Sequence, residues 1–234
     1  MRKDLPHLIK RFLPLSFRLI ALIITLSGLI VATFPSGVFT PDVYFYYTNL
    51  SNVLVLVFFL LLVIKSAEDL IRNKDKVKTS YYERFAFIVL IDIMLTFLVY
   101  WVLLAPKTLA TPNGTSKLFS YSNLTVHAIV PILVIIDYFI FIRPKAPSFR
   151  YVFLTWVFPL SYTIMSIIIG LSGYTYYTGS HYPYFFLDFE TQGALVLIWI
   201  IVLLAFFTVL ATGVYFLDRK RYQKSLETRI NSEK

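Results

Sequence analysis

Long apolar runs separated by short polar connections organise this chain, and six can be counted: Phe17–Phe34, Phe45–Ile64, Phe85–Leu104, Tyr121–Ile142, Val152–Leu171 and Gly193–Leu217. A helix crosses the hydrocarbon of a bilayer with about 20 mostly apolar residues, and each run is of that order. An outer-membrane barrel would instead show alternating segments of roughly 10 residues. Helices satisfy every backbone donor and acceptor within one segment, which lipid demands. The pattern therefore predicts an all-α polytopic membrane protein, a six-helix bundle folded as a single domain over 1–234.

Composition agrees: 58% of residues are hydrophobic and only 15% charged, which excludes an ordinary soluble domain. The charges are unevenly placed. Of 22 Lys and Arg, 20 fall in the N-terminal segment, the Lys65–Arg84 and Arg143–Arg150 connections and the tail from Arg219; the other three connections hold only Lys107 and Lys117. Positive loops stay in the cytoplasm, so both termini are expected there. The net charge of +9 then needs no nucleic-acid partner. Segments such as Asn73–Lys78 and Asp218–Arg221 sit where anionic headgroups attract them, at about 1 kcal/mol per charge. The first run follows Arg2, Lys3, Lys10, Arg11 and Arg18 and carries no small-x-small cleavage site, so it reads as a retained anchor. Zero cysteine excludes disulfides, thiolate metal sites and cysteine catalysis.

Against this apolar background the polar positions stand out. Tyr46-Tyr47-Thr48-Asn49-Leu50-Ser51-Asn52 opens the second run, and His127 lies in the fourth. Thr48, Ser51 and Asn52 fall at i, i+3 and i+4, and Asn123 and His127 at i and i+4, so each helix carries one polar stripe. At 1.5 Å per residue Thr48 lies about 5 Å and His127 about 9 Å below the outer ends of their runs. Pro131 and Pro159 inside runs four and five are expected to kink those helices and free backbone carbonyls.

The stripes suggest a chemistry. A threonine hydroxyl becomes a nucleophile when a base removes its proton, and neutral imidazole suits that task near pH 7. Thr48 and His127 are thus a minimal acyl-transfer dyad. The amides of Asn49, Asn52 and Asn123 are candidate oxyanion donors, one such donor being worth about 3 kcal/mol of barrier. Asp188 and Glu190, in the last outer connection, are candidates to orient the histidine. The aromatic-rich stretch Tyr174–Phe189 with His181 and Tyr182 reads as an interfacial belt, or as a lid over a lipid-entry groove. Asp92 and Asp137, about 10 and 8 Å from the inner ends of their runs, form a separate layer. They are expected to pair with Arg84 or Arg143 or to bond to helix backbone; the alternative is an ion or proton path. Asn113-Gly-Thr115 and Asn123-Leu-Thr125 match the glycosylation pattern by coincidence. Widely separated His7, His127 and His181, with no nucleotide motif, point to cofactor-free, metal-free chemistry.

Six spans, the Tyr-Tyr-Thr-Asn-Leu-Ser-Asn opening of span two, Asn123-x-x-x-His127-x-x-x-Pro131 with Asp137 beyond it, and Tyr182-Pro-Tyr-Phe-Phe-Leu-Asp188 before span six together resemble the androgen-induced protein family of six-span membrane hydrolases and its bacterial relatives. The resemblance covers most of the chain. It implies a threonine hydrolase that cleaves fatty acid esters of hydroxy fatty acids, with Thr48 and His127 at the positions of the family's nucleophile and histidine. The residues after Thr48 match the bacterial branch better, which implies a bacterial plasma membrane.

Three readings compete. A lipid ester hydrolase depends on Thr48 and His127, a small carrier on Asp92 and Asp137, and a scaffold on neither pair, since Ser, Thr, Asn and His within bundles also simply bond neighbouring helices at about 0.6 kcal/mol per contact.

Overall fold

The computed structural model describes residues 5–72, 80–143 and 145–232. Arg2, Lys3 and the Asn73–Lys78 segment, assigned above to topology and headgroup contact, lie outside the described residues. Among those described, every regular element is helical. Six helices are long and apolar enough to cross a membrane: Phe12–Ala32, Tyr47–Arg72, Glu83–Leu109, Tyr121–Ile140, Arg150–Leu171 and Leu195–Thr228. The protein is all-α, as the apolar runs require.

The helical ends depart from the apolar runs where charged residues extend a helix. α1 covers Leu5–Ala32 and α2 Tyr47–Arg72, the latter continuing past Ile64 with a Lys65–Glu68 pair at 2.7 Å. Hydropathy marks the lipid crossing, whereas good helix formers and i,i+3 pairs carry the helix beyond it.

Prolines interrupt spans three, four and five. α3 (Glu83–Val99) passes through a π-helical turn, Tyr100–Leu104, into α4 (Ala105–Leu109), whose second residue is Pro106. After α5 (Gly114–Leu118), span four repeats the device: α6 (Tyr121–Leu124), a π-helical turn at Thr125–Ile129, then α7 (Val130–Ile140) with Pro131 second. A proline has no N–H for the carbonyl four residues earlier and its ring crowds that carbonyl. Widening the preceding turn is one way for a helix to absorb this. In span five the same conflict at Pro159 separates α8 (Arg150–Leu154) from α9 (Val157–Leu171). α10 (Phe189–Gln192) and α11 (Leu195–Ser232) complete the chain.

The chain divides into two compact units. The first comprises Met1–Ala32 and Ser51–Arg143; the second comprises Thr33–Leu50 and Pro144–Lys234. α2 belongs to both, with its first turn in the second unit.

In the first unit α3 is apolar all round and buried along most of its length, from Ala86 to Thr96. Such a helix belongs at the centre of a bundle. α3 packs on α7, and α1 on α6 and α7. α1 buries Arg18, Ala21, Thr25 and Leu29 on one stripe and exposes Leu19, Ile23, Leu26 and Ile30. Its outward face is apolar, the reverse of a soluble surface helix and the pattern lipid favours. Gly28 lets α1 close on the fourth span, since a Cβ there would overlap Thr125.

The second unit is built from aromatic rings. The edges and faces of Phe45, Tyr46, Tyr174, Tyr176 and Tyr184 meet at centroid distances of 5.4–6.3 Å. Gly170 of α9 carries the Tyr182 ring where any larger residue would collide with it.

Candidate active site

His127 lies in the π-helical turn of span four, within the first unit. The wide turn leaves two carbonyls to be satisfied from outside. Val130 N–H turns to Thr125 O rather than to Val126 O, and Asn52 Nδ2 donates to Val126 O at 3.0 Å. Pro131 offers nothing to His127 O, which instead accepts from Trp101 Nε1 at 3.0 Å. Side chains of spans two and three therefore stabilise the irregular backbone around the histidine. A buried carbonyl left alone would cost about 1–3 kcal/mol.

The ring is held from two further directions. Tyr100 stacks on it at a centroid distance of 3.6 Å and an interplanar angle of 21°. Its Nδ1 lies 3.0 Å from the Asn123 carbonyl. A carbonyl only accepts, so Nδ1 carries the hydrogen and the lone pair of the neutral ring is on Nε2. Asn123 in turn donates from Nδ2 to Tyr100 Oη at 2.6 Å and to Leu118 O at 2.8 Å. Both amide hydrogens are thereby committed, and Asn123 braces the histidine and its stacking partner rather than presenting an N–H to an oxyanion.

Two other polar residues of the stripe bond inside the first unit. Ser51 shares a hydrogen bond with Thr96 at 2.7 Å, and Asn52 serves the π turn as above. Both are buried.

Thr48 belongs to the second unit, His127 to the first. Thr48 is buried in the first turn of α2. Its N–H donates to Tyr184 Oη at 3.4 Å, and its hydroxyl bonds to the same phenol. Burial holds the Tyr184 phenol above its ordinary value. Tyr162 donates to Phe45 O at 3.1 Å and also bonds to Tyr184. Asn49, next to Thr48, donates from Nδ2 to Val43 O at 2.8 Å, which ties the turn Pro41–Phe45 to the start of α2. An amide has two N–H bonds, and this contact uses one.

The connection before the sixth span behaves as packed structure. Asp188 caps α10, accepting from the N–H groups of Glu190 and Thr191 at 2.9 and 3.1 Å, so its carboxylate serves a helix terminus. Glu190 pairs with His181 Nδ1 at 3.0 Å on the surface. Tyr182 is only 4% exposed and packs on Gly170.

The charged layer of the first unit has a partner that sequence reasoning missed. Asp137 pairs with Arg18, not with Arg84 or Arg143: Nε to Oδ1 is 2.8 Å, and the two side chains are 0% and 1% exposed. Arg18 Nη1 also donates to Ser66 Oγ at 2.9 Å, and the guanidinium lies 5.7 Å from the Phe141 ring centre. Arg18 is thus an interior residue, although it was grouped above with the N-terminal loop charges. The signal was present in its position inside an apolar run, on the stripe that α1 buries. Asp92 is fully buried in α3. Trp101 and Tyr100 were also missed; the spacing of Pro131 to the His127 carbonyl, four residues back, is the sequence feature that predicts a need for an outside donor there.

Compared with family models, curated proteins and solved structures, the chain matches none.

Proposed function

We propose that this protein is a membrane-embedded, cofactor-free hydrolase of lipid acyl esters, in which Thr48 is the nucleophile and His127 the general base. The observation that carries the reading is the state of the histidine. Its ring is fixed by the Asn123 carbonyl and the Tyr100 face, with the basic electron pair on Nε2. The ring is braced on two sides, in a π turn whose freed carbonyls two further side chains satisfy. Single π turns recur at functional sites.

In the proposed reaction Thr48 Oγ attacks the acyl carbonyl while His127 Nε2 takes its proton. The tetrahedral adduct collapses with loss of the alcohol, whose oxygen receives that proton. Water, deprotonated by the same nitrogen, attacks the acyl-threonine ester; the adduct collapses with the proton passing from His127 Nε2 to Thr48 Oγ, which releases the carboxylic acid and restores the threonine. Asn49, one residue from the nucleophile and with one amide hydrogen beyond its bond to Val43, is the favoured oxyanion donor. Long acyl chains, including fatty acid esters of hydroxy fatty acids as in the androgen-induced protein family, suit a site entered laterally from lipid. Both termini are assigned to the cytoplasm by the Lys/Arg asymmetry, in a bacterial plasma membrane, with the basic segments against anionic headgroups.

The carrier reading loses ground to the Arg18–Asp137 pair, because the carboxylate it needs is already charge-matched. The deciding experiment is hydrolysis of a panel of long-chain acyl esters by the protein in nanodiscs. Thr48→Ala and His127→Ala are expected to abolish turnover, and Asp92→Asn to preserve it. Turnover indifferent to Thr48 and His127 would sink the hydrolase.

A further inference from the structure

Within the second unit a phenol is in contact with Thr48. The first N–H groups of a helix have no partner inside it. At the start of α2 those of Tyr47 and Thr48 turn to Tyr184 Oη, as does the Thr48 hydroxyl. The Tyr184 ring is fixed in turn: it stacks on Phe186 at 5.1 Å and 6°, and takes the edge of Tyr46 at 5.7 Å and 90°. Beyond it lies Tyr162, whose ring centre is 6.3 Å from that of Tyr184 and whose hydroxyl donates to the Phe45 carbonyl 3.1 Å away. A phenol oxygen has two lone pairs, and the Tyr47 and Thr48 N–H groups occupy them. Tyr184 therefore meets the Thr48 hydroxyl with its own O–H, and the Thr48 hydrogen stays available to a base.

Tyr184 is not a base here: it can hold the Thr48 oxygen in one place at the mouth of α2 while leaving the Thr48 hydrogen to His127. We propose that Tyr184 is a positioning residue for the Thr48 hydroxyl, fixing its rotamer through this hydrogen bond, with Tyr162 packed behind it. The inference rests on the reading of Thr48 as the nucleophile of an ester hydrolase and adds to it a residue that acts through Thr48.

The test is steady-state hydrolysis of long-chain acyl esters in nanodiscs by wild type, Tyr184→Phe and Tyr162→Phe, each also combined with Thr48→Ser. Misplacing a reacting atom by about 1 Å costs up to about a hundredfold, so Tyr184→Phe is expected to lower kcat between about tenfold and a hundredfold with KM unchanged. Tyr162→Phe, which keeps the Tyr184 ring and hydroxyl, should lower kcat less. Serine lacks the β-methyl that restricts threonine about χ1. The Tyr184→Phe loss should therefore be larger with serine at position 48 than with threonine, a dependence that a purely structural tyrosine would not produce. If Tyr184→Phe does not fold, the fall in kcat on Tyr162→Phe and its growth in the serine background carry the test. Thr48→Ala and His127→Ala dead with both tyrosine variants at wild-type kcat would overturn this inference alone. Wild type without turnover, or Thr48→Ala as active as wild type, would remove the hydrolase and the positioning role together.

Discussion

Two polar layers share the fourth span, separated by about 15 Å of helix axis, and they are built by opposite means. Around His127 neutral groups gather: a carbonyl, an indole, a phenol and two amides. Around Asp137 an acidic side chain meets a basic one, and a hydroxyl and two aromatic faces also lie against the guanidinium. The difference follows from the cost of burial. Neutral polar groups need only their hydrogen bonds satisfied, and a proline-widened turn supplies spare carbonyls for that. A charge at the same depth is tolerated only when matched in kind. One layer is therefore adjustable and suited to proton transfer; the other is a rivet.

Breaking each layer should give contrasting results. The largest effect is expected on turnover: His127→Ala should lose about a hundredfold to ten-thousandfold of ester hydrolysis, the usual contribution of a general base, while the melting temperature in detergent moves little. Activity retained in a folded His127→Ala protein would show that the neutral layer is only structural. The reverse pattern is expected below it. Asp137→Asn or Arg18→Met strands a buried charge and should destabilise the fold by about 3–5 kcal/mol, and the double replacement Arg18→Met, Asp137→Leu should recover most of that. Thermal unfolding of the four proteins tests it; a double variant no better than the singles would mean that the pair does more than balance charge.

Trp101→Phe sharpens the comparison from inside the neutral layer. It removes the donor to His127 O while keeping a ring, and should cost about 1–3 kcal/mol with a partial loss of turnover as the histidine shifts. Smallest of all is Asp188→Ala in the second unit, expected to cost about 1 kcal/mol as a lost helix cap and to leave turnover unchanged. A collapse of activity there would return Asp188 to the catalytic apparatus.

The second unit adds a third solution. Its polar groups are mostly phenols, set in a cluster of rings that supplies packing area as well as hydrogen bonds. Sequence marked Tyr174–Phe189 as an aromatic-rich stretch. It did not single out Tyr184 from its neighbours, because ring composition says nothing about which hydroxyl meets the start of α2.

The sequence by itself determined the helical class and the six helices long and apolar enough to cross a membrane, because hydropathy over about 20 residues is a local property. It also marked His127 and Thr48 as polar residues within apolar runs, and the prolines as points where carbonyls come free. Only the tertiary structure decided which groups answer them. Arg18 and Asp137 stand 119 positions apart, and Thr48 and Tyr184 stand 136 apart. No periodicity links such pairs; they meet because helix packing turns particular stripes toward each other, and that choice is made by the fit of whole faces rather than by any one residue.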